Sequence, residues 1–204
     1  MNIKYKKIIF FVIFIILLVF LKIDFRFANS IFCCSDDFDY YMHAETISED
    51  FDLNYGNQLK GLEDKRYNSN SKVAPIGYIG TGILSAPFMF IGNLIDSLTD
   101  KFFKPSDLMN YKLLIYSFSP IFYLFAGCGL IYKTLNILNI RYKNIELLLI
   151  FLGSGVSYYA FERFSMTHSY ETFATSLTLY WSAAYYRGKK TNLASLLIPL
   201  SILI

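Results

Sequence analysis

A cluster of three aspartates is the part of this chain whose residue types are best suited to chemistry. Asp36, Asp37 and Asp39 lie close together and are interleaved with phenylalanine and tyrosine. Carboxylates held near one another repel, which raises the pKa of one of them. Such a group can act as a general base, and the cluster can bind a cation. We therefore take this segment as the first candidate for a catalytic site.

The surrounding composition predicts that these acids stand at a membrane face. Ten of the 16 acidic residues fall within residues 24–64. Apolar residues make up 54% of the chain and charged residues 17%, against about 25% charged in ordinary soluble domains. The apolar residues come in long blocks separated by charged connectors. This arrangement predicts an all-α fold of polytopic integral membrane helices.

Several apolar blocks have the length or flanks of membrane spans. Residues 8–21 are uninterrupted apolar and flanked by lysines, which suits a cleaved signal peptide or an uncleaved anchor. Because further blocks follow, we predict an anchor over residues 8–23. Other spans are predicted over residues 111–132, 145–161 and 171–186. The run 193–204 stops within an apolar segment, so we expect the chain to be the N-terminal part of a longer protein.

The segment at residues 76–98 decides the predicted topology. It is apolar, but it contains Pro87 and several glycines, which make a continuous lipid-facing helix unfavourable. If it spans, the basic connectors around Arg141 and Arg187 lie outside. If it is interfacial or re-entrant, nine lysines and arginines lie inside, as the positive-inside rule favours. We predict the second arrangement, with a cytoplasmic N-terminus and an outer loop over residues 24–110 that carries short juxtamembrane helices, one of them near residues 40–47.

Two further groups of residues lie on the same predicted outer face. Arg163 and His168 stand in a turn between two apolar blocks, where ionisable residues suit either a binding role or a position among lipid headgroups. The stretch from Lys72 to residue 77 combines a cation, a rigid turn and backbone amides that suit a phosphate. Glu45 and Glu49 are expected to be solvated.

Composition also argues against other kinds of site. The aspartates lack the glycine spacing of a calcium loop, and no histidine or cysteine pair supports zinc, so no metal or other cofactor is predicted. The three cysteines form no disulfide framework. The net charge of +3 is too small to bear on nucleic acid, but outside the membrane flanks there is no basic cluster interleaved with aromatics, so nucleic acid is not predicted as a partner.

Three segments together resemble the GT-C membrane glycosyltransferases, the lipid-phosphate-sugar-dependent class that includes protein O-mannosyltransferases and aminoarabinose transferases. Residues 37–47, Asp-Phe-Asp-Tyr-Tyr-Met-His-Ala-Glu-Thr-Ile, look like the first outer loop of that class. Residues 72–78, Lys-Val-Ala-Pro-Ile-Gly-Tyr, are similar to the proline-containing stretch that closes the loop. Residues 164–170, Phe-Ser-Met-Thr-His-Ser-Tyr, resemble a Ser-x-x-His turn of bacterial members.

The resemblance implies a function and a role for individual residues. It implies transfer of a hexose or pentose from a polyprenyl-phosphate carrier to a glycan, lipid or protein acceptor, at the outer face of a bacterial inner membrane. Asp39 aligns best with the aspartate that acts as base on the acceptor hydroxyl, and Asp37 is the second choice. Lys72 would approach the lipid phosphate, and His168 would border the same cavity.

Two other classes remain open from the sequence. A polytopic transporter or flippase component would use the acidic loop as a gate, and a structural membrane protein would have no site. A transporter is expected to place ionisable residues near the middle of its spans. Here they lie near the ends of the predicted helices, as Lys112, Glu146 and Glu171 do. This distribution favours an interfacial site and hence the transferase.

Overall fold

The computed structural model describes residues 35–59, 68–69, 72–102, 111–142 and 144–188, together with residues 192, 193, 195, 197 and 198. The predicted anchor at residues 8–23 and most of the run 193–204 lie outside the described residues. The all-α class is confirmed, since the described elements are helices apart from one pair of two-residue strands.

The helices and strands follow one another in a simple order. Helix α1 continues directly into a π-helical turn, and the short antiparallel strands pair Ser69 with Lys72. Five longer elements follow. The bounds are α1 Ser35–Glu45, the π-helical turn Thr46–Asp50, β1 Asn68–Ser69, β2 Lys72–Val73, α2 Ile79–Phe102, α3 Tyr111–Leu138, α4 Asn144–Gly153, α5 Gly155–Phe161 and α6 His168–Tyr186.

Helix α3 is the centre of the bundle. Tyr123 Oη donates to the carbonyl of Leu84 at 3.0 Å and the Tyr111 N–H donates to Asp96, so α2 runs antiparallel to α3 on this side. Helix α6 runs parallel to α3 on another side, where Ser119 Oγ lies 2.5 Å from Tyr170 Oη. Helices α4 and α5 return antiparallel between them and bury Ala160 against α3. The apolar core therefore forms around α3.

Helix α2 corrects the prediction for residues 76–98. It is continuous from Ile79 to Phe102 with Pro87 inside it, so a re-entrant reversal over these residues is wrong. An interfacial position stays a prediction. The glycines serve packing: a Cβ on Gly82 would lie 2.3 Å from His43 Cβ, and one on Gly92 would lie 2.6 Å from Lys112 Cα. Small residues allow backbones to approach this closely in membrane helix pairs.

The segment predicted as one span over residues 145–161 is two helices. The break falls at Ser154, whose backbone is extended, between Gly153 and Gly155. Glycine is the poorest helix former after proline, and serine competes for backbone hydrogen bonds. Ser157 Oγ accordingly donates to the carbonyl of Leu152 at 2.8 Å across the break. The Gly-Ser-Gly sequence is the local cause of this interruption.

Two of the described helices are long and apolar enough to cross a membrane. They are Ile79–Thr99 and Tyr111–Leu138. Core helices of soluble proteins can share this length and composition, so the property supports membrane association and nothing finer. The other predicted spans stay predictions.

The two ends of the bundle carry different charges. At the N-terminal end of α3, Lys112 binds Glu45 and Glu49, which places the C-terminal part of the acidic segment there. At the other end, Arg187 Nη2 donates to the carbonyl of Leu138 at 3.1 Å, which brings the C-terminal ends of α3 and α6 together. Arg141 follows α3 directly on that side. The acidic segment and the described basic connector residues therefore lie at opposite ends.

Candidate functional site

Helix α1 contacts the chain before α2 at Gly77. Asp39 Oδ2 accepts a hydrogen bond from the Gly77 N–H at 3.0 Å, and His43 Nε2 lies 2.8 Å from the Gly77 carbonyl oxygen. A Cβ at position 77 would lie 2.9 Å from Tyr40 Cε1, so glycine permits the close approach. The predicted phosphate-binding stretch thus ends on an amide that is already bonded to Asp39. That amide is not available to a phosphate.

The hydrogen bonds of His43 define its tautomer. The Gly77 carbonyl can only accept, so Nε2 carries the proton. Nδ1 then accepts from the Tyr55 hydroxyl at 2.7 Å. Burial lowers the pKa of His43 below its usual 6.5, against opposing contributions from the Gly77 carbonyl and Asp39. His43 is therefore neutral at pH 7, in agreement with both hydrogen bonds.

Asp37 and Arg163, which are far apart in sequence, are brought together. Asp37 is only 2% exposed, and its Oδ2 accepts a hydrogen bond from Arg163 Nη2 at 3.3 Å. Asp39 is 4% exposed, and its Oδ1 has no hydrogen-bond partner within the described part of the chain. Both predicted catalytic aspartates are thus buried, and each accepts at least one hydrogen bond. Their direct contacts join α1 to the chain before α2 and to the turn before α6.

Asp36 has a different environment. It is exposed and lies one helical turn before Tyr40. Burial, followed by the negative charges of Asp36 and Glu171, raises the pKa of Tyr40, and the Thr167 hydroxyl beside it has the opposite effect. Asp36 and Glu171 consequently act on the same phenol from α1 and α6. Among the three clustered aspartates, Asp36 is the one accessible from outside the protein.

His168 completes this polar group at the start of α6. Its Nδ1 lies 3.3 Å from Glu171 Oε2, and its ring centroid lies 4.0 Å from that of Tyr159. Thr167 Oγ1 donates to Glu171 Oε1 at 2.6 Å. We call the group of Asp36, Tyr40, Thr167, His168 and Glu171 the polar mouth.

A cavity of ≈ 820 Å³ begins at the polar mouth. It lies between α3, α4 with α5, and α6, and His168 and Glu171 line one end of it. The rest of its wall is mainly apolar and includes Leu135, Phe151 and Leu179. We call this cavity the α6 groove. His168 thus lines the α6 groove, and the expectation that it borders the cavity approached by Lys72 stays a prediction.

Lys112 is a residue whose partners the sequence did not reveal. Its ammonium binds the carboxylates of both Glu45 and Glu49. Tyr41 Oη donates to Glu45 at 3.2 Å, and Asn93 Nδ2 donates to Glu49 at 3.1 Å. The expectation that these two glutamates are merely solvated is thus wrong. A lysine at the second position of a long apolar helix is the signal that points to such a partner.

The start of α3 is closed by Asp96 from the end of α2. Asp96 Oδ1 accepts from the Tyr111 N–H at 3.0 Å, and Oδ2 accepts from the Lys112 N–H at 2.8 Å. The first N–H groups of a helix lack partners within the helix, and a carboxylate also interacts favourably with the helix dipole there. Asp96 thereby fixes Lys112 opposite the acidic segment.

Lys72 is placed only through its backbone. It belongs to β2. Gly77, whose N–H donates to Asp39, lies five residues later along the chain. Its side chain lies outside the described residues, so its predicted contact with a phosphate stays a prediction. In the portion that the structure describes, no three histidine, cysteine, aspartate or glutamate side chains are grouped to hold a metal ion.

Comparison with protein-family models, with curated proteins and with solved structures gives no match for this chain.

Proposed function

We propose that this chain forms part of an integral-membrane glycosyltransferase, which moves a hexose or pentose from a polyprenyl-phosphate carrier to a glycan, lipid or protein acceptor. The observation that carries the proposal is the position of α1. Hydrogen bonds of Asp37, Asp39 and His43 hold this acidic helix beside the polar mouth of the apolar α6 groove. An accessible carboxylate next to an apolar channel suits a reaction between an amphiphilic substrate and a hydroxyl acceptor.

The reaction requires little covalent chemistry from the protein. The acceptor oxygen attacks the anomeric carbon, its proton passes to a carboxylate, and the carbon–oxygen bond to the phosphate breaks. The polyprenyl phosphate leaves with the electron pair. The protein orients the acceptor, removes the proton and stabilises the departing charge. Lys72 and Arg163 remain the predicted cations for the phosphate.

The charge distribution supports an outer-face site in a multi-pass protein of a bacterial inner membrane. Acidic α1 and the basic residues Arg141 and Arg187 lie at opposite ends of the bundle, which matches the positive-inside rule with a cytoplasmic N-terminus. The 28 residues of α3 extend about 42 Å, against about 30 Å of hydrocarbon core. We propose that the Lys112 end extends beyond this core and brings α1 to the interface.

Burial divides the three aspartates between two roles. A general base must come within about 3 Å of the proton that it removes. The resemblance favours Asp39, then Asp37, but both are buried and bonded. We therefore propose Asp36, which is exposed at the polar mouth, as the base. Asp37 and Asp39 then position α1.

The test compares three aspartate variants in the full-length protein. Membrane vesicles receive a radiolabelled polyprenyl-phosphate sugar, and transfer to endogenous acceptor is followed together with the thermal midpoint of the purified protein. Asp36→Asn should lower transfer by at least about 100-fold, within the range typical for loss of a general base, at an unchanged midpoint. Asp37→Asn and Asp39→Asn should lower the midpoint. Lys133→Gln, which removes an exposed charge of α3, is the control and should change neither.

The alternatives give different results. Normal transfer by Asp36→Asn, with loss in Asp39→Asn at an unchanged midpoint, would return the base to Asp39. Normal transfer in all three variants would refute an aspartate base in α1. Transfer no greater than that of vesicles lacking the protein would refute the transferase and favour the transporter class.

A further inference from the structure

The α6 groove joins apolar walls to an end rich in carboxylates. From His168 to Leu179 its α6 wall extends about 16 Å, with both residues lining it. Its α3 wall belongs to a helix apolar and long enough to cross a membrane. A groove of this length and polarity accommodates an extended hydrocarbon chain. Burial of each methylene contributes about 0.8 kcal/mol to the free energy of binding.

The polar mouth determines which headgroup such a chain can carry. Glu171 lines the groove and is exposed, and Asp36 is exposed on α1 next to Asp37, which accepts a hydrogen bond from Arg163 in the turn before α6. Two described side chains nearby can carry positive charge, and each already faces a carboxylate: His168 lies beside Glu171, and Arg163 lies beside Asp37. Carboxylates accept hydrogen bonds from hydroxyl groups and repel phosphate. The mouth therefore suits a hydroxyl-rich headgroup without negative charge.

We infer that the α6 groove binds one hydrocarbon chain of an amphiphile whose headgroup is hydroxyl-rich and not anionic. If the proposed function holds, this amphiphile is the acceptor rather than the phosphate-bearing sugar donor, and its hydroxyl lies at Asp36. The chain occupies the apolar part of the groove toward Leu179, and the headgroup meets Glu171 and Thr167. The donor phosphate then binds outside this groove.

The experiment is photolabelling of the full-length protein, and it requires no turnover. Two probes share a dodecyl chain that carries a diazirine, one with a glucosyl head and one with a phosphate head. Labelled peptides are mapped by mass spectrometry. The glucosyl probe should label residues of α4, α5 and α6 that line the groove, more strongly than the phosphate probe does.

Two variants test the wall and the mouth separately. Thr175, an exposed groove residue, is changed to tryptophan, and Ser97, exposed on α2 away from the groove, is the matched control. Thr175→Trp should reduce groove labelling about tenfold, as expected for about two excluded methylenes, and Ser97→Trp should not. Glu171→Lys should reverse the headgroup preference in favour of the phosphate probe.

Other outcomes overturn the inference. Equal labelling in Thr175→Trp and Ser97→Trp would mean that the groove is not the binding site, as when another apolar segment of the chain fills it. Preference for the phosphate probe in the unmodified protein would assign the groove to an anionic lipid. Either result leaves the Asp36→Asn transfer assay unaffected, so the inference and the proposed function fail separately.

Discussion

The contact between α1 and α2 gives the most direct test of the fold. Gly82 lies against His43, and a Cβ added there would stand 2.3 Å from His43 Cβ and 2.9 Å from the His43 backbone carbon. Ordinary carbon contacts need about 3.5–4.0 Å. A backbone carbon cannot rotate away as a side chain can. Gly82→Ala must therefore push α1 away from α2 by more than an ångström.

The magnitude follows from a comparison with Gly129. Both glycines lie within helices, so alanine brings a propensity gain of about 1 kcal/mol at either position. At Gly129 nothing lies within 4 Å of the added Cβ, so this gain should appear in full. At Gly82 overpacking costs about 1–3 kcal/mol. Displacement of α1 also strains the Asp39 and His43 bonds to Gly77, each with a net value of about 0.5–1.5 kcal/mol.

We expect Gly82→Ala to lose about 2 kcal/mol of stability and Gly129→Ala to gain about 1 kcal/mol. For a chain of 204 residues, each kcal/mol shifts the thermal midpoint by about 2–4 °C. The midpoints should therefore move by about 4–8 °C downward and 2–4 °C upward. They are measured by thermal unfolding of the detergent-purified protein. A Gly82→Ala midpoint equal to or above that of Gly129→Ala would refute the close α1–α2 packing.

Three further perturbations test individual contacts. Lys112→Met removes the cation shared by Glu45 and Glu49 and should lower the free energy of unfolding by about 2 kcal/mol, as loss of charged hydrogen bonds does. This loss should shrink when both glutamates are also changed to glutamine, and an undiminished loss would argue against the pairing. Because burial lowers the pKa of His43 in the folded state, the unfolded chain binds more protons just below pH 6.5. The contribution of His43 to the free energy of unfolding should therefore be fully present above that pH and decline below it, with a slope of at most about 1.4 kcal/mol per pH unit. Chemical unfolding at several pH values measures the decline, and His43→Gln should remove that part of it. Asp96→Ala removes the cap of α3 and should cost about 1 kcal/mol; a thermal midpoint equal to that of the unmodified protein would contradict the capping role.

Sequence patterns were informative where the determining interaction is local. Apolar blocks predict the all-α class because helices satisfy their own backbone hydrogen bonds, and helical spacing predicts a short helix near residues 40–47, where α1 and the π-helical turn lie. The turn that contains His168 does lie at one end of an apolar helix. These features depend on neighbours a few residues apart.

Glycine and proline illustrate the opposite case, in which the outcome depends on residues distant in sequence. The same residue type at Gly82 permits helix contact and at Gly153 accompanies a helix break. Local propensity cannot distinguish these outcomes, because the partner of Gly82 is His43, far away along the chain. Pro87 likewise lies within a continuous helix, although its type indicates an interruption.

The sequence by itself determined that an acidic, aromatic helix adjoins a set of apolar helices. Only the tertiary structure decided which of its aspartates is accessible. Asp37 and Asp39 face Arg163 and Gly77, and Asp36 faces outward, because the alternation of buried and exposed positions depends on how α1 rests on α2 and α6. Adjacent residues of one type thus differ in burial and partners, and those partners come from segments distant in sequence.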